Sequence, residues 1–174
     1  MFDDATQFIP HMSPCGGLAY LSGGWYFGTW NVRSLVNNEG TVETARLSSE
    51  NSELEDRRID LVITELNRYN IKVAALQETK WFGNHVYHVG KSIVLAAGRK
   101  TPQGCQPRQR EGVAIILTAH AITVWKAGGE QWRSWGSRII KVSLGGGSRK
   151  TSRVHILSCY APTFGASRAE KELF

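Results

Sequence analysis

Between residues 54 and 70 the apolar positions Ile59, Val62, Ile63, Leu66 and Tyr69 recur at three- and four-residue intervals. That period predicts an amphipathic helix with a charged outer face. The pattern then changes: Ile71 and the unbroken run 73–76 predict a buried strand over 71–77. Upstream, the aromatic-rich "WYFGTWNV" (25–32) predicts the first strand. The opening is therefore strand–helix–strand, with the two strands paired in parallel.

After residue 90 the pattern predicts short strands with no helix between them, at 92–96, 112–117, 122–125, 138–144 and 154–160. "TAHA", between the second and third, predicts a tight hairpin, and "GGGSRKTS", between the last two, a flexible basic turn. "GRKTPQGCQPRQR" (98–110) reads as a basic surface loop, and the polar stretch 37–53 as a loop with at most a frayed helical turn. Residues 1–24, with Pro10, Pro14 and two Gly pairs but no periodicity, read as an irregular leader. Residues 166–174 read as the first turns of a helix. No internal repeat or low-complexity tract is found.

Composition changes this picture little. At 174 residues the chain has the length of one domain, and 41% hydrophobic with 21% charged residues is a soluble globular balance. The net charge of +6 favours a polyanionic partner such as nucleic acid, although on charge alone a solvated basic surface is the better account. Cys15, Cys105 and Cys159 are odd in number and show no metal-ligand spacing, so no disulfide partner is expected. The N-terminus has an acidic start and lacks the basic and apolar regions of a signal peptide. With no apolar run near the ~20 residues that span a bilayer, the expectation is an intracellular, non-secreted chain without membrane partners.

Candidate chemistry lies at strand ends, which in layered α/β folds line one rim. Asn31 follows "GTW", Glu78 follows "AALQ", and Tyr160 follows "HILSC". A carboxylate there is a hard oxygen donor suited to Mg²⁺. An Asn amide can hold a phosphate without adding charge, and a Tyr hydroxyl can donate to one. Each has a plainer role as well: Asn31 a turn residue, Glu78 a solvated strand end, Tyr160 a half-buried core aromatic. Pattern alone stops at a basic α/β protein with an acidic strand end.

The wording around these residues adds more. "GTWNVRSL", "VAALQETKW", "EGVAIIL", "SRIIKVSL" and "LSCYAPTFGASRAEKELF" resemble, in order and spacing, the endonuclease/exonuclease/phosphatase superfamily. The likeness is greatest to the apurinic-endonuclease-like domain of non-LTR (LINE-type) retrotransposons. Within that group the resemblance is strongest to RTE-type elements and to chromosomal sequences derived from them, often named craniofacial development protein 2-like. It covers residues 25–174, and together the five blocks are specific where "QET" or "YAP" alone is not.

The resemblance implies a four-layered α/β-β/α sandwich and Mg²⁺-dependent nicking of DNA that leaves a 3′-hydroxyl to prime reverse transcription. A reverse-transcriptase domain would belong to the full-length parent, and a DNA substrate implies the nucleus. Glu78 matches the metal-binding glutamate, with Mn²⁺ equally suited to its oxygens. Asn31 matches the asparagine beside metal and phosphate, and Tyr160 the tyrosine against the cleaved phosphate. Arg138 matches a recurrent basic position whose role is either phosphate binding or structural. Lys80, Trp81, Arg108 and Arg110 are candidate DNA contacts, although a solvated loop accounts for those two arginines as well.

The superfamily also uses an Asp and Asn in a "GDFN"-like block and a His in an "SDH"-like block, and neither block occurs in residues 1–174. His85, His88, His120 and His155 lie in the wrong blocks to replace that histidine. The expectation is thus the first half of the fold, a domain over 25–174 lacking its C-terminal part. Without a base and a second donor it should have no useful nuclease activity alone, and its inner sheet face, including Val113, Ile115, Leu117, Ile139 and Val154, should be left uncovered. Two alternatives stand beside the nuclease: a non-catalytic nucleic-acid-binding or interaction remnant, and another phosphoesterase of the superfamily.

Overall fold

The helix announced by the three- and four-residue spacing is α1 (Arg57–Arg68). Ile59, Val62, Ile63 and Leu66 form its buried face. Asp60 in its first turn and Arg68 in its last complement the helix dipole. It stops at Asn70, which takes a left-handed φ of 56° while its N–H bonds the Asn67 carbonyl, a common helix ending. Strand β2 (Ile71–Gln77) follows at once, paired in parallel with β1 (Tyr26–Asn31).

The computed structural model describes residues 24–33, 35, 57–99, 111–145, 153–172 and 174. Most of the leader, the 37–53 stretch, residues 100–110 with Arg108 and Arg110, the turn 146–152, Cys15 and Cys105 lie outside the described residues.

A five-stranded sheet has the order β1-β2-β5-β4-β3, with β3 (Asn84–Val89), β4 (Ser92–Ala97) and β5 (Val113–Leu117) antiparallel to their neighbours. A three-stranded antiparallel sheet, β6-β7-β8, is built from Trp132–Trp135, Ile139–Gly145 and Arg153–Cys159. Alternation along the central strands feeds two separate cores. Ala74, Leu76, Val94, Ala96, Ala114 and Ile116 pack with α1, whereas Val73, Ile93, Leu95, Val113, Ile115 and Leu117 pack with Ile140, Val142 and Leu144 of β7. Both faces are covered, which is why these strands read as continuous apolar runs. Each fully buried Leu or Ile adds about 1.5–3 kcal/mol relative to exposure.

The layers run helix, large sheet, small sheet: the mixed α/β sandwich expected. Four expectations need correction. Residues 122–125 are not a strand, nor is "TAHA" a hairpin; both belong to helix α2 (Ala119–Ala127). Ala121 and Trp125, one helical turn apart, are its buried residues, and a short apolar run does not by itself distinguish strand from helix. Strands β3 and β6 were not expected, because their Asn, His, Arg and Ser side chains interrupt the apolar signal. The inner face is not left open: β7 covers Val113, Ile115 and Leu117, and Ile139 and Val154 are half-buried. The expected C-terminal helix is α3 (Arg168–Glu172). Among the described residues no helix is long and apolar enough to cross a membrane.

Candidate active site

Parallel register places Asn31 opposite Gln77, so the residue after β2, Glu78, comes beside the Asn31 side chain. The chain beyond β1 continues the pairing, with Val32 N–H bonding the Gln77 carbonyl and Leu35 N–H the Thr79 carbonyl. Glu78 sits at φ 58° and Lys80 at φ 60°, left-handed conformations that side chains other than Gly seldom take. This turn is pinned from behind, where Thr79 N–H bonds the Gly112 carbonyl at 3.1 Å. Gly112, at φ 133°, lies so close that a Cβ there would stand 2.5 Å from Thr79 Oγ1. The buried Thr79 hydroxyl itself has no hydrogen-bond partner among the described residues.

From the other sheet, Tyr160 follows β8 and reaches across. Its hydroxyl donates to Glu78 Oε1 at 3.0 Å, and the Asn31 amide donates to the same oxygen at 2.8 Å. Asn31 is held in turn by its Oδ1, which accepts the Arg33 N–H at 3.0 Å. Beneath them a polar cross-link joins three strands: Gln77 Nε2 donates to Thr29 Oγ1 and to Ser158 Oγ, and Ser158 Oγ donates to the Leu76 carbonyl. Burial, then the hydrogen bond to Glu78, raises the Tyr160 phenol above its ordinary pKa, and the positive charge of Arg138 pulls the other way.

The structure thus brings Asn31, Glu78 and Tyr160 together. Arg138 does not join them at the carboxylate; it is engaged in an ion pair with Glu111 at 2.7 Å and in hydrogen bonds with the Tyr160 backbone. Lys80 is half-buried beside Glu78. Trp81 must be corrected as a DNA contact: it is 5% exposed and packs edge-on against Tyr87 in the core under α1. Sequence reasoning missed Gln77, Ser158 and Glu111. A polar residue interrupting an apolar strand end was the available signal, and it marks Gln77 and Glu111 but not Ser158. Of the histidines, His155 bonds Ser143, His120 packs on Trp25 and His85 stacks on Tyr87.

A divalent cation can be tested against this donor set. Both hydrogen bonds fall on Oε1 of Glu78. No group of three or more His, Cys, Asp or Glu side chains able to hold a metal occurs among the described residues. The arrangement fits Mg²⁺, which commonly binds through one or two carboxylates and completes its shell with waters and substrate phosphates. It does not fit an all-protein Zn²⁺ cage.

The fold is a mixed α/β sandwich of two sheets. No family model and no curated protein matches the sequence. Among solved structures the chain is similar to the AP endonuclease LMAP from Leishmania major, with a TM-score of 0.53 and 15% identity over 80% of this chain and 41% of that one. The chain therefore spans less than half the length of that structure, and the likeness is one of fold.

Proposed function

We propose that this chain carries the cation- and phosphate-holding part of a DNA endonuclease domain of the endonuclease/exonuclease/phosphatase type and of retrotransposon origin. The reaction is hydrolysis of a phosphodiester bond in nuclear DNA to leave a 3′-hydroxyl. The observation that supports this reading is the convergence of Asn31 and Tyr160 on one oxygen of Glu78 at the joined strand ends of both sheets.

On this reading Glu78 would hold Mg²⁺, or Mn²⁺ in its place. When bound, the cation supplies positive charge to a phosphate oxygen. Asn31 and Tyr160 fix the carboxylate by donating to Oε1. The Tyr160 phenol, its pKa raised by burial, keeps its one proton in the bond to Glu78 Oε1 and serves as a donor, not as a base. The net charge of +6 suits DNA, whose affinity for a protein rests largely on phosphate neutralisation. The Asp that aligns water and the His that binds phosphate would come from "GDFN"- and "SDH"-like sequence outside residues 1–174. Removing members of such a unit costs several powers of ten in rate.

The test is supercoiled-plasmid nicking with Mg²⁺, run beside Mn²⁺ binding, on the gel-filtered chain and on Glu78→Ala. The expected result is Mn²⁺ binding that Glu78→Ala abolishes, with little nicking by either protein. Equal Mn²⁺ binding by both would overturn the assignment of Glu78. Strong nicking that vanishes in Glu78→Ala would keep the site but overturn the need for the later blocks.

A further inference from the structure

Glu111 and Arg138 stand just before strands of different sheets, β5 and β7. Glu111 directly precedes Gly112, whose carbonyl holds the turn after Glu78, and Arg138 directly precedes β7. Their ion pair is short, 2.7 Å between Arg138 Nε and Glu111 Oε2, and neither side chain is more than 20% exposed. A pair so sheltered must be held by more than charge, because desolvation cancels much of the attraction. Here the guanidinium also engages Tyr160. Nη1 donates to the Tyr160 carbonyl at 3.3 Å, the Tyr160 N–H returns a bond to the Arg138 carbonyl at 2.8 Å, and the guanidinium lies 5.5 Å from the Tyr160 ring centroid. Arg138 thus holds Tyr160 by backbone and by ring, and Glu111 holds Arg138.

We propose that Glu111 and Arg138 are a positioning pair that fixes Tyr160 over Glu78, so that the geometry of the carboxylate is set from both sheets at once. The proposal rests on the reading of Glu78 as the cation and phosphate site. Neither Glu111 nor Arg138 touches the Glu78 carboxylate, so both act through Tyr160. Replacing either should loosen the tyrosine, and the loss should reach Glu78 only while the Tyr160 hydroxyl is present. Outer partners of a metal-binding carboxylate typically matter about 10–100-fold in metal affinity.

The test is a double-mutant cycle on the 174-residue chain, with two readouts. The first is Mn²⁺ affinity in Glu111→Gln, Tyr160→Phe and the double variant. The second is the NMR signal of ring-labelled tyrosine, with the Tyr160 signal identified by its loss in Tyr160→Phe. Tyr87, buried in the other core, is the internal control. Expected are an affinity loss of about threefold or more in Glu111→Gln, about tenfold in Tyr160→Phe, and no further loss in the double variant. The Tyr160 ring signal should move in Glu111→Gln and in Arg138→Gln while that of Tyr87 stays.

Additive losses would overturn the proposal, because Glu111 would then act by another route. So would an unmoved Tyr160 signal, or Tyr160 and Tyr87 moving together with loss of fold, which makes the pair a general structural contact. Arg138→Lys adds a second check: it keeps the charge but not the planar fork, and should still shift the Tyr160 signal. If instead wild type and Glu78→Ala bind Mn²⁺ alike, the assignment of Glu78 fails, and the ring signals still decide whether the pair positions Tyr160.

Discussion

Asn31 and Glu78 are 47 residues apart in sequence and meet at 2.8 Å because two parallel strands end in register. The bond makes Asn31 a support for the carboxylate in addition to any contact it has with substrate. Asn31→Ala should weaken Mn²⁺ binding by about tenfold. Because Asn31 is exposed, the thermal midpoint should change little. Isothermal titration and a melting curve on one sample check both halves, and an unchanged affinity would mean that Tyr160 alone orients Glu78.

The backbone at Glu78 is held in a left-handed conformation, φ 58°, that a glycine adopts freely. Glu78→Ala and Glu78→Gly lose the same hydrogen bonds but differ in backbone freedom. The Gly variant should be the more stable of the two by about 1 kcal/mol, despite its more flexible unfolded chain. Urea unfolding of the pair measures this. An Ala variant as stable as the Gly one would show that the turn carries no strain.

Gly112→Ala tests the packing behind the same turn. A Cβ there would stand 2.5 Å from Thr79 Oγ1 and 3.0 Å from Lys80 N, at a φ of 133° that alanine resists. The expected cost is about 2 kcal/mol or more. Displacing residues 79–80 should also shift Glu78, so Mn²⁺ affinity should fall although no ligand has been changed.

Alkaline stability should report Tyr87. Burial pushes its phenol up to about 12 from 10.0. Above pH 10 the unfolded chain releases this proton while the folded chain retains it, so the folded state binds more protons and stability falls as pH rises. The contribution is fully present below pH 10 and is lost progressively as pH rises through the window up to about 12. Denaturation midpoints measured across this range should decline less steeply in Tyr87→Phe than in the parent chain. Identical slopes would place the alkaline loss elsewhere.

Local sequence reasoning went furthest where one spacing dominated. The positions 59, 62, 63 and 66 announce α1 because only a helix brings such residues to one face, and they are buried together. It failed at residues 119–127, where a short apolar run fits either a strand or a helix; packing of Ala121 and Trp125 decides for the helix. Trp81 was misjudged because a tryptophan beside polar residues looks the same in sequence whether it faces solvent or the core, and here it faces Tyr87.

By itself the sequence determined that the chain is α/β, that its central strands are buried, and that polar residues stand at the ends of β1, β2 and β8. Those properties depend on neighbours a few residues away. That Asn31 and Tyr160 share one oxygen of Glu78, and that Glu111 reaches Arg138 and through it Tyr160, was decided only by the tertiary structure. These contacts need a parallel register between β1 and β2 and the closure of one sheet on the other. Both are set by long-range pairing and burial, which no local period records.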